Sequence, residues 1–418
     1  MRQPARHVDS SGSSVINLKK NAMKLKSISY VEFQGHPQEW RVDHLRLGPK
    51  NLLVGKNSSG KSRSISVIGG LARQLSGQAP PFQSGSYECL FQDGEKRYDY
   101  KMTYDSGQVT EEFLHIDGRE YLARGHLGIG TIIAEGISKE QPIAFQTPPN
   151  SFAAFARRDS IQHGFLEPLA QWADSLRLYH FAGSVAKNHL AAFISGAPSV
   201  DDKDENAVVG IFRNAVRDFG DEFIESMKTD MRFMDYPIKN IDVGPPISIT
   251  PGLTSLPNGL SCIRVEEEGL LGITDQLAMS DGMFRVLAIL VHVNLAILRK
   301  SATTILVDDI GEGLDFDRSI KLIELLRSKA SVSGLQLVMS TNDRFVMNHV
   351  PLEEWTVLHR TGSKVNVRNY FNSKEHFDQF KMTGLSNFSF FEFNADSMST
   401  LEEPGDEDDD AYIRGRNA

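Results

Sequence analysis

"GKNSSGKS", residues 55–62, decides how the rest of this chain is read. It matches the spacing G-x-x-x-x-G-K-[ST], in which backbone N–H groups at a helix start converge on phosphate. Gly55 and Gly60 permit the tight backbone path, and Lys56, Asn57, Ser58, Ser59 and Arg63 complete the cradle. Lys61 is placed to reach the β- and γ-phosphates of a nucleoside triphosphate, and the Ser62 hydroxyl to ligate Mg2+. The bland alternative is a Gly/Ser-rich turn. Against it, "KNLLVG" (50–55) is a short apolar strand running into the loop, and "GKSRSISVIGGLARQL" (60–75) reads as a helix leaving it. Strand, loop and helix in that order are what a phosphate loop requires.

Outward from the loop, "KLKSISYVEF" (24–33) and "WRVDHLRL" (40–47) alternate as half-buried strands do. Glycine-punctuated alternating segments follow the helix, "SYECLFQ", "RYDYKMTYD" and "QVTEEFLHID", and predict an antiparallel sheet beside the core. Residues 150–245 read as mostly helical, with "IQHGFLEPLAQWADSL" and "NAVVGIFRNAVRDFGDEFIESM" the clearest amphipathic runs. A Pro/Gly-rich stretch, "VGPPISITPGLTSLPNG" (243–259), precedes a last third with the strand–helix rhythm of a covered parallel sheet. No internal repeat and no sustained heptad pattern is present.

With 418 residues, 40% of them hydrophobic, the chain can bury a large core as one elaborate domain or two. The net charge of −9 is unevenly placed. The tail 401–418 holds seven acids against two arginines, a net of −5, so the body is only mildly acidic. That leaves nucleic acid open as a partner without favouring it. The tail and the first 22 residues both predict loose ends, and Met23 is a candidate start. No apolar run reaches the roughly 20 residues needed to cross a bilayer, since "VLAILVHVNLAIL" (286–298) is shorter and carries His292 and Asn294. The basic N-terminus has no apolar stretch behind it, which predicts no secretory signal. Cys89 and Cys262 fit no metal or redox spacing. The expectation is a cytoplasmic protein with ordinary buried thiols and no membrane insertion.

Two further elements carry chemistry. "TTILVDDIGEGLDFD" (303–317) is an apolar strand ending in two carboxylates. Asp308 sits where a hard cation needs an oxygen ligand, and Asp309 where a group would polarise the attacking water. The competing reading, a pair of acids capping the next helix, suits Asp315 or Asp317 better. "LAMSDGMFRVLAIL" (277–290) places Ser280 and Gly282 ahead of a long apolar helix, with Arg285 one turn in. A second anion-seeking helix start makes sense if it serves the γ-phosphate held by another subunit.

In this order the motifs resemble an ATP-binding-cassette (ABC) type ATPase of the RecF/SMC/OLD-like group. These are AAA-family ATP-binding proteins found in bacterial anti-phage defence and DNA-repair systems. The resemblance rests on Walker A "GKNSSGKS", signature "MSDGMFR", Walker B "ILVDD", and "GLD" as a D-loop that includes Asp315. It covers about residues 24–372. It implies an α/β head: a mixed and parallel sheet flanked by helices, an antiparallel β subdomain and a helical insertion. The corresponding divisions are 1–23 (disordered extension), 24–149 (N-terminal lobe), 150–260 (mainly helical insertion), 261–394 (C-terminal lobe) and 395–418 (acidic disordered tail). ATP and Mg2+ are the implied cofactors. A homodimer or higher oligomer is the implied assembly, with each ATP between one subunit's Walker A and the other's signature.

Two positions depart from that group's pattern. The usual glutamate is Asp309, one methylene shorter, and the switch histidine is Asn342, with His349 nearby but out of register. Both changes predict slow hydrolysis and a long-lived ATP state. The Mg2+-sensing glutamine is assigned to Gln146 in "PIAFQT" in preference to Gln141. The aromatic "FFEFN" (390–394) is expected to pack onto the head rather than dock a partner.

The function these features predict is an ATPase switch that controls a separate effector, a nuclease foremost, in anti-phage defence or DNA repair. No nuclease constellation lies within the chain. The alternative is the energising subunit of a membrane transporter, which the lengthy 147–279 segment and the missing histidine disfavour.

Overall fold

The structure is a computed structural model, and it describes residues 22–135, 141–181, 186–192, 200–249, 260–300 and 304–397. The expectations for both chain ends, and for most of the Pro/Gly-rich stretch, lie outside the described residues.

The chain opens with β1 (Lys24–Glu32), β2 (Trp40–Arg46) and β3 (Lys50–Val54), then α1 (Lys61–Leu75). Six strands follow: β4 (Ser84–Asp93), β5 (Lys96–Asp105), β6 (Gln108–Ile116), β7 (Arg119–Arg124), β8 (Ile129–Ile133) and β9 (Pro142–Gln146). The middle contains α2 (Ala153–Ala156), α3 (Glu167–Ser175), β10 (Arg177–His180), β11 (Ala191–Ala192), α4 (Val208–Phe219) and α5 (Asp221–Phe233). Then come β12 (Ile238–Gly244), β13 (Leu260–Glu267), β14 (Thr274–Asp275), α6 (Asp281–Leu298), β15 (Thr304–Asp308) and α7 (Phe316–Ser333). The last third ends with β16 (Gln336–Ser340), α8 (Arg344–His349), β17 (Trp355–Thr361), β18 (Lys364–Asn369), α9 (Lys374–Lys381) and α10 (Asn387–Ser397).

One 14-stranded sheet runs β10-β15-β16-β3-β17-β18-β2-β1-β4-β5-β6-β7-β8-β9. From β10 to β17 every pairing is parallel, and from β1 to β9 every pairing is antiparallel. The antiparallel region therefore continues the central sheet. β11–β14 form a small second sheet. Parallel strands are covered on both faces, and β15 and β16 accordingly read as continuous apolar runs, buried throughout. Leu53, Leu306 and Val338 point to the face carrying α1 and α3, whereas Leu52, Val307 and Met339 point to the face carrying α6 and α7.

The middle region differs from the helical expectation, since it contains the strands β10, β11 and β12 as well as helices. Gly220, at φ 54°, breaks the long run into α4 and α5. More importantly, β10 interrupts it and forms the edge of the central sheet beside β15. Four residues are too few for alternation to register as a strand, and pairing with β15 overrides the helical pattern around them.

One described helix, α6, is long and apolar enough to cross a membrane, but 67% of that stretch is buried inside the protein. Its buried Asn294 amide is partnered there. Asn294 donates to Asp230 at 2.7 Å and accepts from Lys329 at 2.8 Å, while burial pushes the His292 imidazole down to about 4. It serves as the core helix of the second face.

α10 packs onto the head as expected. Phe390 is fully buried, its ring centroid 4.5 Å from Phe377 and 5.0 Å from Phe380. Phe390→Ala should therefore cost about 3–5 kcal/mol of unfolding free energy, as for other buried Phe truncations. Urea denaturation would measure this, and a loss under 1 kcal/mol would show that α10 is not part of the folded core.

Candidate nucleotide-binding site

β3 is a fully paired internal strand, and its C-terminal end delivers residues 55–60 to the rim of the sheet. Open parallel sheets bind ligands at the carboxyl ends of their strands. The loop accepts only glycine at its two ends. A Cβ at Gly55 would lie 2.3 Å from Ser59 Oγ and 2.6 Å from the Leu358 carbonyl oxygen. Gly60 has φ 102°, and a Cβ there would meet Val365 at 2.9 Å. Gly60 is also the N-cap of α1 and offers no side-chain acceptor, so the first-turn N–H groups of α1 are not capped by it. That is the chemistry of an anion cradle.

Lys61 opens α1 and is 5% exposed. Its Nζ donates to the Gly55 carbonyl at 2.8 Å and to that of Lys56 at 3.3 Å. Burial lowers the pKa of its ammonium, and the Asp309 and Asp308 carboxylates oppose that shift. Ser62 is exposed on the first turn, and Lys56, Asn57 and Ser58 are exposed on the loop. Those three and Ser59 border a 360 Å³ cleft completed by His359, Arg360 and Phe391. Arg63 turns elsewhere: its guanidinium pairs with Glu32 and lies 4.7 Å from the centroid of the Trp40 ring.

Asp308 ends β15 almost fully buried, and Ser340 at the end of β16 donates to its Oδ1 at 2.5 Å. The same Ser340 oxygen accepts from the Asp309 N–H at 2.9 Å, tying both carboxylate residues to the neighbouring strand. Asp309 has φ 52°, a left-handed conformation that aspartate tolerates better than most side chains. Its carboxyl pKa is raised by burial and by the Asp308 charge, with Lys61 pulling the other way. These interactions place Lys61, Asp308 and Asp309 in one electrostatic cluster. The hydroxyl of Ser62 and the carboxylate of Asp308 are hard oxygen donors of the kind Mg2+ takes. Asn342 lies exposed just past β16, where the neighbouring Thr341 N–H donates to the Leu53 carbonyl at the end of β3. His349 lies within α8, its Nδ1 against the Phe345 carbonyl and its ring 6.3 Å from Phe316.

The signature residues gather on the other face. Ser280 caps α6, accepting from the Met283 N–H at 3.2 Å. Arg285 donates to the Glu312 carbonyl at 2.8 Å, and a Cβ at Gly282 would lie 3.1 Å from Leu314. This start of α6 is therefore packed on the 311–315 loop. Asp315 accepts from the Arg318 N–H and side chain as the N-cap of α7, the capping geometry noted as the competing reading of these acids. α6 and α1 cover opposite faces of the sheet, so Ser280 caps a helix on the face away from α1.

Gln146 is not brought to this cluster. β9 is the far edge of the sheet, with nine strands between it and β3. The segment after β9 packs at the opposite end of α1, where a Cβ on Gly77 would strike the Phe155 ring at 2.2 Å. A 15-residue helix such as α1 spans about 22 Å. The strand that ends beside Asp308 is instead β10, with His180 paired to Asp308 and held by Glu205. Sequence reasoning missed His180, Glu205 and Ser340, of which only the hydroxyl closing an apolar strand gave any signal. A cleft of about 1100 Å³ on the outer face of β1, β4 and β5 contains no residue of this cluster.

Fold and loop together define a P-loop ATPase head of the ABC type. Residues 50–348 match the family model described as "AAA domain, putative AbiEii toxin, Type IV TA system", and the chain belongs to that family. No curated protein sequence matches it. Similar solved structures include an Smc head bound to the C-winged helix domain of ScpA, with 12% identity over 84% of this chain and 99% of that one and a TM-score of 0.48. The SMC head domain from Thermotoga maritima is 12% identical over 83% and 98%, with a TM-score of 0.43. An Smc head with an extended coiled coil, bound to the C-terminal domain of ScpA derived from Pyrococcus furiosus, is 13% identical over 86% and 100%, with a TM-score of 0.48.

Proposed function

We propose that this chain is a slowly hydrolysing ATP switch whose nucleotide-bound dimer controls a separate effector. The observation that carries the reading is the division of the site between faces. The loop, Lys61, Ser62, Asp308 and Asp309 supply one half of a triphosphate site, and Ser280, Gly282 and Arg285 gather where they would serve a second copy. In this reading the loop N–H groups and Lys61 hold the β- and γ-phosphates, and Ser62 and Asp308 hold Mg2+. The metal supplies charge neutralisation on the phosphate oxygens. Asp309 orients the attacking water, and Asn342 contacts the γ-phosphate without the proton-carrying capacity of imidazole. The toxin–antitoxin wording of the family description supports a defence setting, with the effector, a nuclease foremost, encoded separately.

Mixing Lys61→Ala protein with Ser280→Arg protein tests the shared site. Each variant alone should lose ATP turnover, and the mixture should recover at most one competent site per dimer. If either variant hydrolyses ATP normally as a monomer in size-exclusion and turnover assays, the sandwich reading fails. Co-purification with membrane instead of a soluble partner would favour the transporter reading.

A further inference from the structure

β10 and β15 run parallel with His180 directly opposite Asp308, and the Phe181 N–H donates to the Asp308 carbonyl at 3.0 Å. Directly paired residues on neighbouring strands share a face and lie about 4.8 Å apart. Two observations say which face this is. Leu306, two residues before Asp308, packs in the core on the α1 side. Leu178, two residues before His180, meets α1 so closely that a Cβ on Gly69 would lie 3.0 Å from it. His180 and Asp308 therefore both project toward the face on which α1 presents Ser62.

The ring is also aimed. Glu205 accepts from the His180 backbone N–H at 2.8 Å, and its other oxygen lies 3.1 Å from Nδ1. In the neutral ring a carboxylate at Nδ1 assigns the proton there, which leaves Nε2 as the acceptor on a half-exposed side chain. Carboxylate-held imidazoles of this kind orient groups around metals. On the proposed reading of the site, His180 shares the α1-side face with its strand partner Asp308, beside which Mg2+ would keep several of its waters.

We propose that His180, held by Glu205, is the positioning residue for a water of the nucleotide-bound Mg2+, accepting a hydrogen bond from it at Nε2. This rests on the nucleotide reading above. It gives the β10 edge, rather than Gln146, the task of sensing the metal.

The test is binding, not turnover. ATPγS affinity is measured in EDTA, then across a Mg2+ titration, for wild type, His180→Ala, His180→Gln and Glu205→Gln. His180→Ala should raise the Mg2+ concentration at half-effect by about tenfold to a hundredfold, as loss of outer-shell partners does. Its affinity in EDTA should be unchanged. His180→Gln, whose amide oxygen can accept from the same water, should recover most of the Mg2+ response, and Glu205→Gln should fall between. An unchanged Mg2+ midpoint in His180→Ala overturns the proposal, as does an equal loss with and without Mg2+, which marks a merely structural part. Should His180→Ala fail to fold, Glu205→Ala carries the test: a raised Mg2+ midpoint with unchanged affinity in EDTA supports the proposal, and an unchanged midpoint overturns it. If wild type shows no Mg2+-dependent ATPγS binding, the nucleotide reading itself falls and this inference with it.

Discussion

Lys61→Ala is expected to abolish ATP-dependent function while leaving the fold intact. The Lys61 ammonium sits at the start of α1, buried among the Gly55 and Lys56 carbonyls and in electrostatic contact with Asp308 and Asp309. Truncation removes the cation that would neutralise the β- and γ-phosphates, and with it a charge-assisted contact in a half-desolvated loop. Removing one such stabilising donor from an active site commonly costs a hundredfold to a thousandfold in rate. The two apolar cores on either side of the sheet are untouched, because Lys61 contributes no apolar packing to them. Circular dichroism and thermal melting should match wild type while ATP titration shows the loss. Full biological activity in a well-folded Lys61→Ala protein would sink the nucleotide hypothesis.

Asp309 carries the second large effect. In-line attack on the γ-phosphate needs a carboxylate close enough to orient water. A side chain one methylene shorter than glutamate withdraws its oxygen by about 1 Å, and a misplacement of that size can cost about a hundredfold. Wild-type turnover should therefore lie far below the median of about 10 per second for enzymes. Asp309→Glu should speed hydrolysis or leave it unchanged, and Asp309→Ala should trap an ATP-bound assembly. The left-handed backbone at Asp309 adds a control. Alanine there carries a backbone strain of about 1–2 kcal/mol, whereas Asp309→Asn removes the charge and tolerates the conformation. Both variants should accumulate the ATP-bound oligomer in light-scattering measurements, with only the alanine form less stable. Turnover of tens per second by wild type, measured without a partner, would refute the slow-switch reading.

The parts of the site that were legible in the sequence are those whose chemistry is written in consecutive residues. "KNLLVGKNSSGKS" specifies a buried strand, a glycine-hinged turn and a helix start within 13 residues, and the structure has β3, the loop and α1 at those positions. "ILVDD" likewise carries its own strand and its own terminal carboxylates, and Ser280 its own helix cap. Local sterics and hydrogen bonding suffice for each, so spacing alone reveals them.

Adjacency was not legible. Whether β9 or β10 ends beside Asp308 depends on which strand wins the open edge of β15, and nothing within "PIAFQT" or "RLYHF" records that contest. Arg63 belongs to the loop by number, yet Glu32 and Trp40, brought in from β1 and β2, take its guanidinium. The sequence by itself determined the phosphate loop, the carboxylate strand and the capped signature helix, because each is a short-range pattern. Tertiary structure alone decided that His180 stands beside Asp308, that Gln146 sits at the far edge, and that the signature helix packs on the face opposite α1. Those outcomes come from burying two apolar faces of a single sheet at once, a long-range requirement that no local window contains.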